Sequence, residues 1–103
     1  MNIKLSVCVT TYNRAQGLDR TLASLSAQTR LPDELIISDD CSPDDTAQVA
    51  ARWKAKFPLL RYNCNPRNLN MPGNLNVAIG MAQGEYIANL HDADVFAPTF
   101  LRI

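Results

Sequence analysis

Three short polar stretches hold the residues of this sequence whose types and spacing suit chemistry. Thr10, Thr11 and Tyr12 close a first apolar run, Asp39 and Asp40 follow a second, and Asp92-Ala93-Asp94 follows a later one through His91. Four carboxylates in one crevice repel each other, and each unit of pKa shift is about 1.4 kcal/mol between protonation states. A divalent cation offsets that repulsion directly. Mg2+ and Mn2+ prefer oxygen ligands, and Mg2+ sites often combine one or two carboxylates with substrate phosphates. If the stretches converge, they suit a metal-bound diphosphate. Taken singly they say less. Asp39-Asp40-Cys41-Ser42 also reads as a turn and helix cap, and an isolated Asp-x-Asp is only a polar loop. The joint placement at strand ends carries the functional reading.

The surrounding pattern alternates strands and helices. A strand is expected over Lys4–Thr10 and a helix over Ala15–Gln28, with Leu18, Leu22 and Leu25 on one stripe. A second strand covers Glu34–Ser38. Ser42 as cap and Pro43 at the first helical position open a helix over Pro43–Phe57. Its inward face is Thr46, Val49, Ala50, Trp53 and Phe57, so Trp53 reads as core rather than as a sugar-stacking platform. Pro58 stops it. Leu59–Asn63 reads as a third strand and Cys64–Asn74, with its asparagines and prolines, as a loop. A third helix spans Asn74–Ala82 with Leu75, Ala78, Ile79 and Ala82 inward, and Gly84 as C-cap. Tyr86–Leu90 is the fourth strand, and Pro98–Ile103 looks like the start of another helix.

The β-α-β-α-β-α-β order predicts a three-layer α/β fold, a mostly parallel, Rossmann-like sheet with helices on both faces. Such sheets bind ligands beyond the carboxyl ends of their strands, where strand order reverses. If the first and fourth strands are neighbours, the three polar stretches meet there.

Composition narrows the class. Ten basic and ten acidic residues cancel, so phosphate neutralisation on nucleic acid is not expected. Three cysteines without a CxxC spacing, and one histidine, argue against a zinc site or disulfide framework and for reduced thiols, with Cys8 in the core. No apolar run approaches a membrane span and no signal peptide is read. A cytoplasmic location is expected, with any membrane association coming from regions outside these residues. GxGxxG and GxxxxGK[ST] are both absent, which disfavours a dehydrogenase and excludes a P-loop NTPase.

Val7-Cys8-Val9-Thr10-Thr11-Tyr12-Asn13-Arg14 resembles the opening strand and loop of family 2 glycosyltransferases. Ile36-Ile37-Ser38-Asp39-Asp40-Cys41-Ser42 is similar to that family's second-strand signature. Asn76-Val77-Ala78-Ile79, Ala82-Gln83-Gly84-Glu85-Tyr86-Ile87 and Leu90-His91-Asp92-Ala93-Asp94 resemble its helix, strand and Asp-x-Asp motif. The match covers nearly the whole chain in order.

The resemblance implies a GT-A fold, a nucleotide-diphospho-sugar donor (a UDP- or GDP-sugar), and inverting sugar transfer. It implies that Thr10, Thr11, Tyr12 and Arg14 line the nucleotide pocket and that Asp39 recognises the base with Asp40 close by. Arg67 and Asn68 face the donor. Asp92 and Ala93 approach the ribose and sugar-phosphate, and Asp92 and Asp94 hold Mg2+ or Mn2+. Three positions depart from the family pattern: His91 where an apolar residue is commoner, Val95 where many relatives carry Asp, and Leu75 where many carry Arg. His91 reads as structural rather than phosphate-binding. The family's catalytic domain is roughly twice this length, so residues 1–103 read as its donor-binding half. The acceptor site and general base are then expected beyond Ile103, with self-association through surface left uncovered. The competing readings are a sugar-phosphate nucleotidyltransferase, which usually brings a glycine-rich loop after the first strand, and a non-catalytic nucleotide-binding or interaction module.

Overall fold

The computed structural model describes residues 3–28, 30–57 and 59–91. They form β1 (Leu5–Thr11), α1 (Ala15–Ser26), β2 (Glu34–Asp39), α2 (Thr46–Arg52), β3 (Leu60–Cys64), α3 (Asn70–Met81) and β4 (Tyr86–His91). The four strands make one parallel sheet in the order β3-β2-β1-β4. β1 and β4 are neighbours, the condition for the polar stretches after them to meet, and strand order reverses at β1. Pro58 and the segment 98–103 lie outside the described residues.

Alternation along the strands builds the two faces. Leu5, Val7 and Val9 of β1 and Leu35 and Ile37 of β2 turn toward α1 and α2, where Leu18, Leu22 and Leu25 are fully buried. Trp53 packs against this core and its Nε1 donates to Asp19 Oδ1 at 2.8 Å. Cys8 and Ile36 face the other way, onto Ala78 of α3. The Cys8 thiol donates to the Ala78 carbonyl, and burial, with Glu34 nearby, pushes it up to about 11. Cys8 is therefore a protonated core residue.

Three expectations about the helices are corrected. First, α2 starts at Thr46 and not at Pro43, because the Ser42 hydroxyl turns back to the Asp39 carboxylate. Asp44 bonds the Thr46 N–H instead. The helix ends at Arg52, and turns at Trp53–Lys56 carry Phe57 into the core without further helix. Second, α3 begins at Asn70, four residues early, so Pro72 and Gly73 lie in its first turn. Proline is tolerated there because the first N–H groups lack intrahelical partners. Its buried residues are Asn74 and Ala78, whereas Ile79 is exposed. The inward stripe is rotated because a buried serine on β2 pairs with Asn74. Third, Gly84 is not a left-handed cap. Its N–H donates to Ser6 Oγ at 2.8 Å, and a Cβ there would sit 2.8 Å from the Ser6 backbone nitrogen.

Glu34 anchors the end of the sheet away from the loops that follow the strands. Its buried carboxylate accepts from Ser6 Oγ at 2.8 Å, the Gln83 N–H at 2.9 Å and Arg61 at 3.0 Å. Burial raises this carboxyl, but those donors outweigh it and hold it below the ordinary carboxylate range. No helix among the described residues is long and apolar enough to cross a membrane.

Candidate functional site

At the carboxyl end of the sheet an open cleft of about 370 Å³ lies between the end of β1, the end of β2 and the start of α3. β1 supplies Thr10 and Thr11, and Tyr12 and Arg14 follow from its loop. Asp40 comes from the residue after β2. The segment entering α3 adds Asn68, Asn70, Met71 and Asn74. Thr10, Thr11 and Asp40 are nearly inaccessible, whereas Tyr12 presents 46 % of its surface. An exposed aromatic face beside a buried carboxylate suits a flat, polar-edged ligand.

Asp40 is tightly held in the cleft wall. Its Oδ1 accepts the Leu69 N–H at 2.7 Å and Asn65 Nδ2 at 2.9 Å, and its Oδ2 accepts the Asn70 N–H at 2.9 Å. The Asp40 carboxylate thus caps α3 from another element and neutralises the partial positive charge at its start. This wall of the cleft therefore offers a hydrogen-bond acceptor and is not a bare anion site. Arg14, on the opposite loop, brings the cationic side.

A buried polar chain holds that wall. Ser38 Oγ donates to Asn74 Oδ1 at 2.6 Å, Asn74 Nδ2 donates to the Ser38 carbonyl, and Asn65 Nδ2 also reaches Asn74 Oδ1. Among the described residues no buried side-chain nitrogen or oxygen lacks a partner. A satisfied buried network fixes geometry, whereas a half-satisfied one is costly.

Asp39 does not line the cleft. It shares the face of Leu35 and Ile37, and its carboxylate accepts from the Ser42 N–H at 3.0 Å, from the Ser42 hydroxyl and from Tyr62 Oη. Burial and this bond push the Tyr62 phenol well above its ordinary value. Ser42 Oγ in turn accepts the Asn13 N–H at 2.7 Å. Asp39 therefore positions the loop that carries Tyr12 and Arg14. Asp39, for which the resemblance implied base recognition, is thus not among the residues that line this cleft.

Of the other expected donor residues, Thr10, Thr11, Tyr12, Arg14, Asp40 and Asn68 come together in the cleft. Arg67 is exposed and is not part of its lining. Asp92, Ala93 and Asp94 lie outside the described residues. Of the four carboxylates expected to share a crevice, Asp40 lines the cleft and Asp39 does not, and protein donors bind both. Among the described residues, no three His, Cys, Asp or Glu converge as a metal site. Sequence reasoning missed Asn65, Asn70, Met71 and Asn74. The signal for the three asparagines was the density of that residue between Cys64 and Asn74, and Met71 had none.

Strain collects at the same end. Asn13, Cys41 and Asn70 have φ of 52°, 68° and 65°, the left-handed region that asparagine tolerates better than cysteine. Asn70 lines the cleft and Asn13 and Cys41 adjoin cleft residues in sequence, so the backbone there is bent to place side chains.

Residues 6–103 match the family model described as glycosyl transferase family 2. The chain is 36 % identical over 92 residues to the GalNAc(5)-diNAcBac-PP-undecaprenol beta-1,3-glucosyltransferase of Campylobacter jejuni, which covers 88 % of this chain and 30 % of that protein. The crystal structure of S. aureus TarS 1-349 in complex with UDP superposes with a TM-score of 0.89 at 31 % identity, covering 97 % of this chain and 30 % of that one. The mannosyltransferase PcManGT from Pyrobaculum calidifontis, in complex with GDP-Man and Mn2+, gives 0.83 at 25 % identity over 95 % of this chain and 30 % of that one. The chain thus spans about 30 % of the length of these relatives.

Proposed function

The chain belongs to glycosyl transferase family 2, and we propose that its cleft holds the nucleoside end of a nucleotide-diphospho-sugar donor for inverting sugar transfer. The observation that carries this reading is Asp40: a buried carboxylate, fixed by backbone donors, in the wall of a cleft beside the exposed Tyr12 ring. A nucleobase matches both features, since it offers a π face and edge N–H donors. Tyr12 stacks on the base and Asp40 accepts from its edge, taking the role first inferred for Asp39. Arg14 lies where it can meet the diphosphate, and Asn68 supplies a further polar contact. UDP in TarS and GDP-Man in the mannosyltransferase support a donor of this class.

The same reading assigns a divalent cation, Mg2+ or Mn2+, to Asp92 and Asp94. Mn2+ in the mannosyltransferase structure supports the cation. β4 ends at His91, whose register partner is Thr10 at the cleft, and Asp92 is the next residue. When bound, such a cation neutralises charge on the departing nucleoside diphosphate. The chain's own residues hold the base, orient the diphosphate and keep the pocket shape.

Isothermal titration with UDP and GDP, with and without Mn2+, tests the reading. Binding that strengthens with Mn2+, and loses that dependence in Asp94→Ala, is expected. A folded protein that binds neither nucleotide would overturn it and favour a non-catalytic interaction module.

A further inference from the structure

If the cleft holds a nucleobase against Asp40, as proposed above, the hydrogen bonds already made to that carboxylate limit which base fits. An ionised carboxylate offers about four acceptor positions, two on each oxygen. On Asp40, Oδ1 has both filled, by the Leu69 N–H and Asn65 Nδ2. Oδ2 has one filled, by the Asn70 N–H. Among the described residues these are the donors to the carboxylate, so one position is left, on Oδ2.

We infer that Asn65 sets base selectivity: by filling Oδ1 it leaves Asp40 a single acceptor position, which suits the lone imide N–H of uracil or thymine over guanine. Guanine presents two adjacent donors, its ring N–H and its amino group, and pairs with a carboxylate through both oxygens. With Oδ1 occupied, one of those donors enters the cleft unpaired, which is costly. Cytosine presents an unprotonated ring nitrogen where uracil has its N–H, and a carboxylate repels it.

Asn65 is not free to swing away. It is 3 % exposed. Its Nδ2 serves both Asp40 and Asn74, its Oδ1 accepts from Asn63 Nδ2 at 2.9 Å, and its N–H donates to the Asp39 carbonyl at 2.8 Å. The backbone donors Leu69 and Asn70 are fixed by α3 itself. Asn65 is thus a positioning residue that acts through Asp40, and it touches no ligand.

The experiment is a titration series with UDP, GDP, IDP and CDP in the presence of Mn2+, on the protein and on Asn65→Leu. IDP carries hypoxanthine, which is guanine without its amino group. UDP is expected to bind about tenfold or more tightly than GDP, the scale of one unpaired donor, with IDP between them and CDP weakest. Asn65→Leu frees the Oδ1 position and should narrow the UDP-to-GDP ratio, an effect that a general loosening of the fold does not produce. If that variant does not fold, the order UDP, IDP, GDP on the unaltered protein decides alone. GDP binding as tightly as UDP overturns the inference and leaves the donor reading standing. IDP binding no better than GDP also overturns it, because base size and not donor count would then discriminate. Absence of binding by all four nucleotides overturns the donor reading itself.

Discussion

The carboxylate of Asp40 accepts the backbone N–H of Leu69 at 2.7 Å, across 29 residues of sequence. One side chain therefore serves as the cap of α3 and as a wall of the cleft. Stability and ligand binding are coupled at this residue, and substitutions there should move both. Asp40→Ala removes the acceptor of two backbone N–H groups and leaves Asn65 Nδ2 with one partner fewer. We expect a loss of about 3 kcal/mol in chemical denaturation, together with loss of nucleotide binding under conditions where the variant remains folded. A variant of unchanged stability would remove the capping role.

Asp44 joins two helices. Its Oδ2 accepts the Ala15 N–H at the start of α1 at 3.1 Å, and its Oδ1 accepts the Thr46 N–H at the start of α2 at 3.1 Å. Neither helix has a side-chain cap of its own from the preceding residue. Asp44→Ala should cost about 2 kcal/mol, and hydrogen exchange should speed up at the first turns of both helices together. Faster exchange in only one helix would contradict the bridge.

Gly84 sits against β1 with no room for a side chain. A Cβ would lie 2.6 Å from Ser6 Oγ and 2.8 Å from the Ser6 nitrogen. Backbone cannot yield as a flexible side chain does. Gly84→Ala should therefore destabilise by about 2 kcal/mol through forced displacement of β4 from β1, measurable as a lower denaturation midpoint. Gly80, with nothing within 4 Å of a built Cβ, is the matched control. Gly80→Ala should be neutral or slightly stabilising, because it lies inside α3.

Acid should unfold the protein through a small set of carboxylates. The Leu5 N–H, chief among its donors, holds Asp33 below its ordinary value of 3.8. Burial raises Glu34 and Asp44, but their hydrogen bonds outweigh it and both lie below their ordinary values of 4.5 and 3.8. A depressed folded pKa means the unfolded chain takes up protons first as pH falls. The stability these groups contribute is present above the ordinary values and is lost as pH drops through the folded ones. Thermal midpoints should hold from neutral pH down to about pH 5 and then fall. Glu34→Gln should start lower at neutral pH and fall less steeply in acid. An equally steep acid limb in that variant would exclude Glu34 as a contributor.

The sequence alone determined the order and type of the seven described elements, because each rests on local periodicity. The Leu18, Leu22 and Leu25 stripe and the apolar centres of β1 and β2 need no knowledge of distant residues to be read. It also determined that β1, β2 and β4 end in polar residues, and hence where a ligand site would lie in a parallel sheet. Tertiary structure decided which of those residues enter the cleft. Asp39 and Asp40 are adjacent, yet side chains alternate along a strand, so one turns to the α1 and α2 face and the other to α3. The start of α3 was hidden for the same reason. Its cap comes from Asp40, and its buried polar face answers Ser38, both far away in sequence. A local pattern records a residue's own preference. Which partner satisfies a buried polar group is settled only when the crossovers bring the strands and helices together.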